Sequence, residues 1–342
     1  VISVGVIGVG YWGPNLVRNF SKIESCGTLA VADIKQERLT LLKSQYPEIK
    51  TYLDPHEVMC NPEIDAIVIA TPLSSHYELA KEALNNGKHV LVEKPLTETS
   101  QQALDLIKLS QEKGKVLMVD HTYVYHNAVR KIKEIIDSGE IGDIYFMDSI
   151  RAHWDFGIFR HEKNVIWDLA PHDFSIMNFL IPREPVSLTA AGICCEKYAG
   201  NKSVENIAYV TINIADNILV HFHFSWVSPL KIRRIIIGGS QKLVIFDQSD
   251  IKSPIKVYDK RIKIENIEDA YRSLLNQEQI GDMYTPEVSQ TEPLDMECRH
   301  FIDCIERKKR VTTDAKEGFK VVRLLEASQK SLEDNGRRVF IE

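Results

Sequence analysis

Near the start of the chain an apolar run, residues 4–7, breaks into Gly8-Val9-Gly10-Tyr11-Trp12-Gly13 and then into a helical pattern that carries Leu16, Val17 and Phe20 on one face. Strand, glycine turn and helix in that order leave few folds open. Gly8 permits the tight turn, Gly10 lets a ligand approach the backbone, and Gly13 lets the helix pack on the strand. The free N–H groups and dipole at the helix start then favour a phosphate group. A second apolar run, residues 29–32, ends on Asp33, about 20 residues past Gly13. An acidic side chain at that spacing accepts hydrogen bonds from an adenosine ribose. It also repels a 2′-phosphate, and Ile34-Lys35-Gln36 holds no arginine, so NAD is expected rather than NADP. Tyr11 and Trp12, inside the turn, are further cofactor-contact candidates. The alternative is a structural glycine turn with Asp33 as a helix cap.

The same alternation of short apolar runs and helical patterns continues to about residue 120, as βαβ units of a parallel sheet require. Residues 66–70 (Ala-Ile-Val-Ile-Ala) form a continuous apolar run, expected of a strand covered on both faces; residues 89–92 and 116–119 are further strands. Thr99 opens a helix with a capping box that Gly114 ends. Beyond a helix over 128–138 the pattern changes. Residues 144–150, 186–194, 207–214, 218–224, 233–237 and 242–246 read as strands, with one large helix over 168–180 between the first two. Asp216-Asn217 suits a two-residue hairpin turn. Residues 250–290 are polar, and a loop or flap is expected there. Two helical segments, 296–307 and 314–335, close the chain. The expected architecture is a doubly wound Rossmann domain, 1–122, followed by a largely antiparallel open-sheet α+β domain, 123–342, whose terminal helices can pack back on the first.

The chain's 342 residues suit two cores rather than one, and its net charge of −6 gives no support to nucleic-acid or anionic-membrane binding. No apolar stretch approaches the roughly 20 residues of a membrane span. The first residues run straight into the glycine motif, leaving no room for a signal peptide, so a cytoplasmic protein is expected. The six cysteines show no zinc-type spacing and read as reduced thiols. His221 and His223 alternate along a strand without a carboxylate or cysteine at ligand spacing, so no metal is expected.

Three further signals fall where strands end. Thr71-Pro72-Leu73-Ser74-Ser75-His76 follows the run 66–70, Glu93-Lys94-Pro95 follows 89–92, and Asp168-Leu169-Ala170-Pro171-His172 opens the large helix. Taken alone, Glu93-Lys94 is a charge pair before a turn, and His76 is a helix N-terminal residue or a ligand contact. Together with the glycine motif, in this order, the four segments resemble the Gfo/Idh/MocA oxidoreductases along essentially the whole chain. The resemblance implies that Lys94 lies beside nicotinamide and substrate and that Asp168 and His172 line the opposite wall. It adds Thr71, Pro72, His76 and Glu93 to the cofactor contacts. Residues i and i+4 of a helix share a face, so Asp168 and His172 can point together. Oxidising a secondary alcohol needs a base for the hydroxyl proton, and histidine titrates in the right range. His172 is taken as base with Lys94 as electrostatic partner, the reverse assignment staying open, and Asp168 orients sugar or histidine.

The stretches 10–20 and 167–173 resemble the branch of nucleotide-sugar 3-dehydrogenases, UDP-N-acetylglucosamine 3-dehydrogenases above all. That implies oxidation of a sugar C3 hydroxyl to a ketone. Tyr123 and Tyr125 are candidate substrate contacts, standing where family members often have arginine, which favours an uncharged sugar. Arg151, Arg160, Lys231, Arg233 and Arg234 are cations available to a diphosphate. Trp167 reads as core, with a sugar platform the alternative, and Asp173 as structural. An inositol or free-sugar dehydrogenase is the second reading, and a non-catalytic NAD-binding regulator the third. Ile212, Ile214, Phe222, Phe224, Ile235 and Ile237 are assigned to an open sheet face, and a homodimer or homotetramer through that sheet follows.

Overall fold

A computed structural model describes residues 1–154, 163–195, 204–259 and 282–341. The chain divides into two compact units, one made of 1–126 and 291–326, the other of 127–290 and 327–342. The expected boundary near 122 therefore lies close to the first crossing, and the segment 291–326 belongs with the first unit.

The first unit holds six parallel strands, β1 (Ile2–Ile7), β2 (Cys26–Ala32), β3 (Lys50–Tyr52), β4 (Ala66–Ile69), β5 (His89–Glu93) and β6 (Leu117–Asp120). Their order, β3-β2-β1-β4-β5-β6, places a switch in direction between β1 and β4. In such sheets ligands bind outside the carboxyl ends of the strands at that switch. Helices α1 (Gly13–Phe20), α2 (Gln36–Gln45), α3 (Pro55–Cys60), α4 (His76–Asn85) and α5 (Ser100–Lys113) connect the strands. The Thr99–Gln102 capping box and left-handed Gly114 bound α5 as expected. Val68, Ile69, Val90, Leu91 and Val92 are all at or near zero exposure, which explains the unbroken apolar runs. Strand β3, three residues with intermediate or exposed side chains, was too short to show in the apolar pattern.

The second unit opens with α6 (Asn127–Asp137). Its strands are β7 (Ile144–Trp154), β8 (Pro185–Ile193), β9 (Ile207–Ile214), β10 (Ile218–Ser225), β11 (Val227–Gly239), β12 (Lys242–Asp247), β13 (Ile255–Asp259), β14 (Met283–Tyr284) and β15 (Val339–Phe340). They form one sheet in the order β14-β13-β12-β11-β7-β10-β9-β8-β15, antiparallel except where β10 runs parallel to β7. Strands β13 to β15 were not expected; the last two are two-residue edge pieces. The β9–β10 hairpin turns through Ala215–Asn217, one residue more than expected, with Asp216 and Asn217 both in the left-handed region. Most of the expected flap, 260–281, lies outside the described residues, as does Arg160.

Helix α7 (Val165–Leu180) packs on β9 and β10, with Phe174 edge-on to Phe222 and Phe224. This corrects the assignment of the open face. Ile212, Ile214, Phe222, Phe224, Ile235 and Ile237 are buried and stand on the face that the chain itself covers. The opposite face shows Leu219 and Tyr209, 48% and 44% exposed, with His221 and His223 stacked on the Tyr209 ring. Alternation separates two faces but does not say which one a helix will take. The chain's last two helices are α8 (Pro293–Glu306) and α9 (Ala315–Glu333). No helix among the described residues is long and apolar enough to cross a membrane.

Candidate active site

In the first unit the glycine turn closes as its sequence demands. Gly8 has a φ of +90°, and a Cβ there would lie 2.7 Å from the Ala70 carbonyl oxygen. A Cβ on Gly13 would come within 2.1 Å of the Gly8 carbonyl oxygen, so only glycine lets α1 begin this close to the strand. Gly10 meets nothing nearer than the Arg38 guanidinium at 3.7 Å, leaving room over the backbone. The start of α1 has no side-chain cap and no acidic residue in its first turn. An uncapped, acid-free N-terminus beside an open glycine fits a pyrophosphate.

Asp33 is 5% exposed and accepts from Val9 N and Lys35 N, both at 2.8 Å. Its Oδ2 also accepts from Arg38 Nη1 at 3.2 Å. Arg38, two residues past the arginine-free stretch Ile34–Gln36, reaches back from the first turn of α2 to the Asp33 carboxylate. The carboxylate thus fixes the turn by its own hydrogen bonds and carries a half-exposed cation beside it.

At the ends of β4 and β5 two loops are tied together. Ser75 Oγ donates to Thr71 Oγ1 at 2.7 Å, and the His76 ring nitrogens lie 2.9 Å from the carbonyl oxygens of Pro95 and Thr71. With His76 only 1% exposed, the ring is a staple between the two loops. Pro72 lies at the start of the short 3-10 turn Leu73–Ser75. Lys94 is half-buried after β5, its N–H donating to Glu93 Oε2 at 2.9 Å, and the Lys94–Pro95 peptide is cis.

Beyond β6 the chain enters a 3-10 turn, Thr122–Tyr125. Tyr125 is fully buried, its hydroxyl 3.1 Å from Thr313 Oγ1 and its ring against His300. That is a packing position rather than the substrate contact expected, while Tyr123 stays half-buried. Two residues that sequence patterns did not flag, Asp120 and Glu297, lie beneath this edge at 2% and 0% exposure. The indole Nε1 of Trp12 donates to Asp120 Oδ2 at 3.0 Å, linking the glycine turn to the end of β6. Tyr11 projects outward at 76% exposure.

In the second unit the relevant element is α7. Asn164 caps it, accepting from Ile166 N and Trp167 N. Twelve of its sixteen residues are buried, and the exceptions in its first half are Asp168 and His172. One turn apart on a largely buried helix, they form a half-exposed polar stripe on its first half. Asp168 Oδ2 accepts from Trp226 Nε1 at 3.0 Å, which fixes the carboxylate. Trp167 is core, 6% exposed, with Lys163 Nζ 3.5 Å above its ring centroid. Asp173, on the opposite side of α7, accepts from Arg151 in a buried ion pair and from Ser149 Oγ at 2.8 Å. Arg151 was expected to reach substrate; at 4% exposure it braces β7 against α7 instead. Arg233 is the cross-strand neighbour of Arg151, and Arg234 that of Ile150, so adjacent arginines point to opposite faces. Their closeness in sequence does not bring both to one diphosphate.

A parallel sheet with an open glycine turn, a buried acidic side chain after β2 and a lysine at a neighbouring strand end is the arrangement expected of a dinucleotide-dependent oxidoreductase. Residues 2–121 match the model of the oxidoreductase family GFO/IDH/MocA, NAD-binding Rossmann fold, and residues 129–244 match the GFO/IDH/MocA C-terminal domain. The chain belongs to this family and is an NAD-dependent oxidoreductase. It is 34% identical over 206 residues to the uncharacterized oxidoreductase YdgJ of Escherichia coli, a match taking in 55% of this chain and 56% of that one. Against the myo-inositol 2-dehydrogenase of Thermotoga maritima it is 24% identical over 251 residues, 72% of each chain. Among solved structures, the UDP-N-acetylglucosamine 3-dehydrogenase GnnA of Acidithiobacillus ferrooxidans superposes with a TM-score of 0.82 over 98% of both chains. At 21% identity that likeness is one of fold.

Proposed function

We propose that this chain oxidises one secondary hydroxyl, at C3, of a nucleotide-linked sugar such as UDP-N-acetylglucosamine. The observation that carries the reading is the Asp168/His172 stripe on a largely buried helix, in a chain that also sets Lys94 at the end of β5. Bound NAD supplies the hydride acceptor at nicotinamide C4. His172 takes the hydroxyl proton as the carbinol hydrogen departs as hydride, leaving a ketone. Lys94 donates a hydrogen bond to the same oxygen and stabilises its developing negative charge. Asp168, held by Trp226, orients the sugar or the imidazole. Tyr123 lies on the substrate side, and Thr71 and Glu93 on the cofactor side, of this reading.

The C3 nucleotide-sugar assignment draws on the resemblance of the stretches 10–20 and 167–173. An inositol or free-sugar substrate is the second reading, supported by the relative from Thermotoga maritima. Incubation with NAD and a panel of UDP- and dTDP-sugars, alongside inositols and free sugars, separates the two by NADH absorbance and product mass. A 3-keto UDP-sugar is expected; turnover of inositols alone overturns the reading. The same proposal includes a cytoplasmic setting and a homodimer or homotetramer through the sheet face that bears Leu219 and Tyr209. Light scattering that returns the monomer mass contradicts the assembly.

A further inference from the structure

Beneath the ends of β5 and β6, three carboxyl groups of the first unit gather with very little cationic help. Asp120 accepts from the Trp12 indole at 3.0 Å and from the Thr122 hydroxyl. Glu297, from the first turns of α8, is fully buried, neither of its oxygens is paired among the described residues, and the Thr122 hydroxyl beside it is already given to Asp120. A buried carboxylate with no donor of its own bears the full desolvation penalty of its charge. The conflict vanishes if Glu297 is protonated. Its O–H then donates to Asp120, which lies within hydrogen-bonding reach.

The neighbours leave little alternative. Facing the cluster are Glu93 and Lys94 from β5, Asp120 and His121 from β6, Thr122 from the turn that follows, and Trp12 from the start of α1. Cys298 stands beside Glu297 on α8, its thiol pushed well above the usual range by burial and then by Glu297. His121 offers no charge, because burial pulls it down to about 4. Burial, and next the charge of Asp120, push Glu93 and Glu297 well above the ordinary carboxyl range. Asp120 is then the shared neighbour of two carboxyl groups, an indole and a hydroxyl.

We propose that Glu297 is a positioning residue for the cofactor turn: held in its acid form, it donates to Asp120 and keeps that carboxylate locked on the Trp12 indole. The charge at this edge, and the place of Trp12 in the glycine turn, then depend on a proton stored on a helix nearly 180 residues away in sequence. Glu297 touches neither cofactor nor substrate in this role.

The test uses the apoprotein and the full chain. Glu297→Gln keeps a neutral donor of the same shape, whereas Glu297→Leu removes it. In difference infrared spectra, Glu297→Gln is expected to lose the carbonyl stretch of a protonated carboxyl. By titration calorimetry Glu297→Gln should bind NAD within about threefold of the parent, and Glu297→Leu at least about tenfold more weakly. Thermal melts should find Glu297→Gln as stable as the parent at acid pH, below the ordinary carboxyl range, and increasingly more stable than the parent as pH rises through neutral. An unchanged infrared band, or a Glu297→Gln protein that melts early and binds NAD as weakly as Glu297→Leu, overturns the proposal. If Glu297→Leu does not fold, the infrared and melting results on Glu297→Gln decide alone.

Discussion

The two units bury carboxyl groups by opposite means. Asp173 in the second unit has a matched cation: Arg151 and Ser149 occupy its oxygens inside the sheet–helix layer. Asp120 in the first unit has no guanidinium, and its carboxyl neighbours Glu93 and Glu297 are pushed toward their neutral forms by burial. A paired anion fixes one arrangement. A proton-sharing cluster gives up a hydrogen bond whenever a proton leaves. The rigid solution supports α7, which presents Asp168 and His172; the titratable one supports the turn that receives the dinucleotide.

The contrast can be broken most severely at the ion pair. Arg151→Ala strands a buried charge and is expected to cost about 3–5 kcal/mol, read from chemical denaturation. A loss below about 1 kcal/mol would mean that Asp173 finds other donors. Next comes pH. The unfolded chain loses its Glu93 and Glu297 protons at ordinary carboxyl values, the folded chain only well above them, so the folded state holds more protons over that interval. Stability should therefore fall as pH rises, by up to about 1.4 kcal/mol per unit for each group, and the Glu93→Gln/Glu297→Gln double variant should flatten the slope. Melting curves from acid pH, below the ordinary carboxyl range, up through neutral and beyond check this.

Smaller effects sharpen the same picture. Trp12→Phe removes one donor from Asp120 and should cost about 1–3 kcal/mol, divided between stability and NAD affinity. Arg38→Ala breaks a half-exposed pair with Asp33 and should weaken NAD by less than about tenfold.

Sequence patterns made the first half of the cofactor site legible because its geometry is local. Gly8, Gly10, Gly13 and Asp33 are related by spacing along one strand–turn–helix–strand run. The Asp168/His172 stripe was legible for the same reason, as neighbours one helical turn apart. What escaped is contact across space. Arg38 folds back on Asp33, Glu297 arrives from a distant helix, and Tyr125 turns inward to Thr313, none of which leaves a period or motif. The reversed sheet face has another cause. Both faces of β9 and β10 alternate regularly, and only the docking of α7 decides which residues become core.

The central proposal is that Lys94 and His172 act on one hydroxyl and that the carboxyl cluster holds the cofactor turn. Single-turnover hydride transfer by His172→Ala, with the sugar that the panel identifies and saturating NAD, tests it most directly. The account predicts a rate lower by at least about a hundredfold with NAD affinity unchanged. A His172→Ala protein that transfers hydride at nearly the parent rate would contradict it.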